Sequence, residues 1–101
     1  MGLVYHTSDW HLGHKGIAKF RASDGIESEY QNSWTQINNY KTIVRKNDLV
    51  WFHGDIIFDP YYLEVVKDLS GIKKLVIGNH DTEKKRKIFL SDLIEVFDEI
   101  H

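Results

Sequence analysis

The sequence predicts an α/β fold, β-α-β-α-β-α, around a mainly parallel sheet. Two observations carry this expectation. Three short runs, Leu3–Thr7 (LVYHT), Leu49–His53 (LVWFH) and Lys74–Ile77 (KLVI), are nearly continuous in apolar or β-branched residues. Such runs, unbroken rather than alternating, are the pattern of strands covered on both faces, as in parallel sheets. Helix-period segments separate them, and that alternation leads to parallel pairing with right-handed crossovers.

The elements follow in order. After the first strand, the segment 16–28 is the expected long loop, with Gly25 and several polar residues. A helix is expected over roughly 27–46. Its Tyr30, Trp34, Ile37, Tyr40, Ile43 and Val44 recur at three- and four-residue steps as one apolar stripe. After the second strand, Asp59-Pro60 opens a helix well, because Asp can cap and Pro suits the first turn. Leu63, Val66 and Leu69 form its inner face, and Gly71 suits its C-terminal stop. A third helix is expected after Asp81-Thr82, carrying Ile88, Phe89 and Leu93. The closing LIEVFDEIH reads either as a helix end or as a short strand.

The 101 residues predict one domain, 1–101. Hydrophobic residues make up 42% and charged residues 28%, ordinary values for a globular chain. A net charge of −2 supplies no basic field for nucleic acid. Without cysteine, neither disulfides nor thiolate metal sites form. The N-terminus lacks the pattern of a signal peptide, and no run approaches a membrane span. The expected location is the cytoplasm.

Ligand-type residues follow every expected strand: Ser8-Asp9-Trp10-His11, Gly54-Asp55 and Gly78-Asn79-His80-Asp81. In open α/β sheets the ligand site lies off the carboxyl ends of the strands. Asp9, His11, Asp55, Asn79 and His80 are therefore expected to meet in one crevice. Carboxylate, imidazole and amide oxygen together suit Mn²⁺, Fe, Zn²⁺ or Ni²⁺. Mg²⁺ is less natural where a histidine ligates. Asp55 has two oxygens and can bridge two ions about 3.5–4 Å apart, the spacing of two-metal hydrolytic sites. The glycines let backbone turn sharply out of a strand and approach an ion closely.

SDWHLGH, FHGD and IGNHD resemble the first three motifs of the calcineurin-like metallophosphoesterases, D-x-H, G-D and G-N-H-[DE]. The DWHLGHKGI…FR continuation is similar to a small subgroup found in phages and bacteria. The resemblance implies a hydrolase, a phosphatase or phosphodiesterase, in which a metal-activated hydroxide attacks a phosphate ester. It implies that Asp9 and His11 ligate a first metal, that Asp55 bridges, and that Asn79 ligates a second. Mn²⁺ is the foremost candidate. His80 would contact the phosphate and protonate the leaving oxygen, with Asp81 orienting His80. The family fold is a four-layered αββα sandwich, and its later histidine and G-H-x-H motifs do not occur in this chain. By the family scheme the first metal site keeps Asp9, His11 and Asp55. The second keeps only Asp55 and Asn79 and is weak. One sheet face is then expected to lie uncovered, open to a second copy or another protein.

Other residues carry two readings each. His14 lies three after His11 and either contacts metal or phosphate or is a solvated loop histidine. Alternation puts His53 on the side of Asp55, as an accessory or as a half-buried strand residue. His6 reads as a strand residue with a satisfied ring, and His101 as a terminal one. The run Lys84, Lys85, Arg86 and Lys87 is a solvated helix face or a phosphate-facing patch, which Lys15 and Arg21 would extend. Four cations fall short of a nucleic-acid site. Trp10, Trp34 and Trp51 read as core, with Trp10 alternatively a pocket wall. Two functions compete: a metal-dependent phosphoesterase, and a truncated non-catalytic module that binds through its uncovered sheet face.

Overall fold

The computed structural model describes residues 2–17, 21–22, 25, 28–77 and 88–101. The expected Asn79, His80 and Asp81, the basic run 84–87 and the start of the third helix lie outside the described residues. Among the described residues four strands, β1 (Val4–Thr7), β2 (Leu49–His53), β3 (Ile72–Val76) and β4 (Glu99–Ile100), alternate with three helices. These are α1 (Glu29–Ile43), α2 (Tyr62–Lys67) and α3 (Leu90–Val96). The fold is thus α/β. The strands pair in chain order, β1-β2-β3-β4, and every pairing is parallel.

Local chemistry places the helix ends. Ser28 caps α1, its hydroxyl accepting from Gln31 N–H at 3.0 Å. Asp59 accepts from Tyr61 N–H at 2.9 Å and starts the turn that leads into α2. The Asp92 carboxylate accepts from Phe89 N–H at 2.9 Å at the start of α3. The C-terminal carbonyls around α2 are met by a buried cation: Lys73 Nζ donates to Lys67 O at 3.0 Å and Leu69 O at 2.5 Å. The ambiguous LIEVFDEIH resolves into both alternatives, the end of α3 and then β4.

Strands taken in sequence order with right-handed crossovers put every connecting helix on the same face of the sheet. Phe52 shows it, packing against Tyr40 of α1 at 5.9 Å between ring centroids and against Phe97, just past α3, at 5.2 Å. The core on that face joins Ile37, Val50, Phe52, Val66, Leu75 and Leu93. The opposite face presents Val4, Leu49 and Ile72 in one row, then His6, Trp51, Lys74 and Glu99 in the next. Val4 is 58% exposed and Ile72 45%. The expectation that these strands are covered on both faces is therefore corrected: among the described residues one face is covered. Among the described residues the opposite face has no layer packed on it.

The apolar stripe of α1 is narrower than its spacing suggests. Ile37 and Tyr40 are buried, whereas Tyr30 and Ile43 are exposed. Asn32 and Ser33, both fully buried, take core-facing positions instead.

Candidate metal centre

Parallel strands point their carboxyl ends the same way, and the chain leaves β1 and β2 side by side. Beyond the strands the two segments stay zipped. Asp9 N–H donates to Gly54 O at 3.2 Å, His11 N–H to Asp55 O at 3.1 Å and Leu12 N–H to Ile56 O at 2.8 Å. Phe58 N–H returns a bond to Leu12 O at 2.8 Å. Trp10 and Leu12 turn into the core, at 3% and 0% exposure, and anchor the loop. Trp10 packs edge-on against Tyr40 and Phe52, and its Nε1–H donates to Thr7 Oγ1 at 2.7 Å. Of the two readings of Trp10, the core one describes its place.

Anchoring Trp10 and Leu12 leaves Asp9 and His11 facing outward, where they meet Asp55. Ligand atoms of Asp9, His11 and Asp55 all lie within 4.8 Å of one another. Nε2 of His11 sits 3.7 Å from Asp9 Oδ1. All three residues have left-handed backbone, with φ of +54°, +52° and +52°, and they are the non-glycine residues with positive φ among the described ones. Residues with a β-carbon rarely adopt that region, and such outliers gather at functional sites. Gly13 continues the turn at φ +80°, where an added Cβ would lie 2.4 Å from the Asp59 Cβ.

The donor set fits a divalent transition ion: two carboxylates and one imidazole form mixed O/N coordination. Burial holds the His11 imidazole below its usual pKa, aided by the Arg21 guanidinium and His14 and opposed by Asp55 and Asp9. That favours the neutral ring, the form that ligates metal. His11 stacks on Phe58 at 4.8 Å, and His14 packs edge-on against both rings. His14 therefore touches His11, while Lys15 lies exposed in the following turn.

His53 goes elsewhere. The left-handed turn at Asp55 breaks strand alternation, so the two side chains do not share a side. His53 lies exposed on the open sheet face, where its Nε2 is 2.8 Å from His6 Nδ1 in a hydrogen bond. The two rings stack at 5.1 Å. His6 thus has the satisfied ring expected of it.

Sequence reasoning missed the layer that holds the loop. Asn32 Nδ2 donates to Trp10 O at 2.8 Å, and Ser33 Oγ accepts from Gly13 N–H at 3.1 Å. Arg21 donates from one nitrogen to Asn32 Oδ1 at 2.6 Å and from another to Asp9 O at 2.5 Å. The available signal was a polar pair, Asn32-Ser33, inside a helix whose neighbouring turns are apolar on the same side.

No family model matches the chain. It is 33% identical over 87 residues to the gene 66 protein of Mycobacterium phage L5, an alignment covering 80% of this chain and 41% of that protein. An uncharacterized protein of Methanocaldococcus jannaschii is 33% identical over 85 residues, covering 80% of this chain and 48% of that one. A solved structure, a protein of unknown function from Aquifex aeolicus, matches with a TM-score of 0.72 at 30% identity, over 97% of this chain and 50% of the other. The chain thus spans about half the length of the relatives it matches. No described helix is long and apolar enough to cross a membrane.

Proposed function

We propose that the chain is a metal-dependent phosphoesterase of the calcineurin-like type, acting on a phosphomonoester or phosphodiester in the cytoplasm. The observation that carries this reading is the convergence of Asp9, His11 and Asp55 beyond β1 and β2, each on left-handed backbone. A divalent ion, Mn²⁺ foremost, lowers the pKa of water and polarises a phosphoryl oxygen when bound in such a set. Asp9 and Asp55 supply the negative charge that retains a cation. His11, held neutral, supplies a nitrogen. By the family resemblance, Asp55 and Asn79 would hold a second ion. By the same resemblance, water oxygen would form a new P–O bond as the ester P–O bond breaks, His80 would protonate the leaving oxygen, and Asp81 would orient His80. Hydrolysis of a chromogenic phosphodiester or monoester with added Mn²⁺ tests the proposal. Turnover is expected, and Asp55→Asn is expected to abolish both turnover and Mn²⁺ binding. Absence of turnover with Mn²⁺, Fe²⁺, Zn²⁺, Ni²⁺ and Mg²⁺ overturns it.

The open sheet face favours a second reading, a non-catalytic module whose partner is a second copy of this chain. The face mixes apolar residues with the close Lys74–Glu99 pair, at 2.7 Å, so it carries no charge of one sign to repel a copy of itself. An inactive protein that sediments as a dimer supports this reading. An active monomer overturns it.

A further inference from the structure

Arg21 is placed where a metal centre would not want a cation. Its guanidinium bonds the backbone carbonyl of Asp9, one of the three converging residues, and the side-chain oxygen of Asn32 behind the loop. A fixed positive charge beside a divalent ion opposes metal binding. Its two observed partners do not require a charge either. Asp9 O and Asn32 Oδ1 are neutral acceptors that any N–H donor would satisfy.

The placement makes sense for an anion that arrives once the cation is in place. Asp9 and Asp55 carry two negative charges, which one divalent ion neutralises. Arg21 adds a positive charge at the Asp9 end of the same loop, where it would meet an anion drawn to the loaded ion. A guanidinium has five N–H donors in a rigid fork suited to phosphate oxygens. Two partners are seen here, and both fix the fork's position: Asn32 is fully buried and is itself tied to Trp10 O. The anchor is thus preorganised on α1 and on the first loop rather than on a free side chain.

We propose that Arg21 is the anion anchor of this site, binding a phosphoryl oxygen of the substrate alongside the metal held by Asp9, His11 and Asp55. The inference rests on the phosphoesterase reading. It separates from a purely structural role by sign. A clamp that only positions Asp9 would, when removed, weaken metal binding. A cation that serves the anion would, when removed, leave Mn²⁺ binding as tight or tighter and weaken phosphate.

The test measures Mn²⁺ affinity by electron paramagnetic resonance and inorganic phosphate affinity of the Mn²⁺-loaded protein by calorimetry. It compares wild type, Arg21→Gln and Arg21→Lys, each checked for folding by circular dichroism. Arg21→Gln is expected to bind Mn²⁺ at least as tightly as wild type and phosphate about ten- to a hundredfold more weakly, the loss of a charge-assisted contact. Arg21→Lys keeps the charge but not the fork. It is expected to bind Mn²⁺ as wild type does and to lose a smaller part of the phosphate affinity, which keeps the inference testable if the glutamine variant does not fold. Weaker Mn²⁺ binding with unchanged phosphate affinity in the variants overturns the anchor. A wild type that binds Mn²⁺ but not phosphate overturns it as well, while a wild type that binds no divalent ion overturns the parent reading instead.

Discussion

Asp9, His11 and Asp55 hold a conformation that costs a residue with a β-carbon about 1–2 kcal/mol. It persists because the loop is over-determined. Trp10 and Leu12 are locked in the core, backbone bonds tie the loop to the segment after β2, and Asn32 and Arg21 hold the Trp10 and Asp9 carbonyls. The strain aims the side chains off the sheet's end instead of along its faces. This predicts a trade between stability and binding at Asp9. Asp9→Gly relieves the left-handed backbone, a strain of about 1–2 kcal/mol, against a glycine entropic cost of about 0.5–1 kcal/mol, and is expected to stabilise the metal-free protein by up to about 1 kcal/mol. Thermal melts by circular dichroism read the gain, and Mn²⁺ titration reads the lost affinity. A lower melting temperature in the glycine variant would show that Asp9 is not strained.

At the scale of elements, one carboxylate ties the start of the sheet to the turn before β2. Asp48 accepts from Leu3 N–H and from Arg45 N–H, each at 2.8 Å. These two backbone bonds hold its carboxyl below the ordinary value of 3.8, more than its desolvation raises it. A carboxylate with a depressed folded pKa adds stability that is present above the unfolded value and lost as pH falls through the folded one. Acid melts are therefore expected to show Asp48→Asn less stable than wild type at neutral pH, with the difference shrinking below 3.8. An equal deficit at every pH contradicts the assignment. Lys73 braces the end of α2, its Nζ donating to the carbonyls of Lys67 and Leu69, while burial pushes its pKa down.

At the scale of the molecule, the strand order decides what is exposed. Four parallel strands laid down in sequence leave all three helices on one face, so the row from Val4 through Leu49 to Ile72 has no cover among the described residues. Trp51 sits at the centre of that face, with Lys74 Nζ 5.2 Å from its ring and His101 beside it. If a second copy seats there, Trp51→Glu inserts an uncompensated charge into the contact. Sedimentation velocity is then expected to show the dimer dissociating, with the monomer's melting temperature little changed, because the residue lies outside the core. A wild type that sediments as a monomer at all concentrations removes this role for the face.

Much of this protein is legible in residue order. The apolar runs placed β1 and β2 within a residue of their observed limits, since apolar and β-branched side chains suit a pleated strand even where one face alone is covered. Ser28 and Asp59-Pro60 start turns by local hydrogen bonding, and the convergence of Asp9, His11 and Asp55 follows from parallel strands ending side by side. Other features needed the third dimension. β3 begins at Ile72, two residues before the apolar run suggested, because Lys73 is buried with its Nζ bonded to the carbonyls of Lys67 and Leu69, at and just past the end of α2. His53 parts from Asp55 because a backbone turn, invisible to alternation, intervenes. Asn32 and Arg21 join the site only because a helix far along the chain packs behind the first loop. Sequence by itself determined the elements and the residues at their ends, since those depend on near neighbours. Tertiary structure decided which face stays open and which buried polar groups brace the site, since those depend on handedness and on contacts between distant segments.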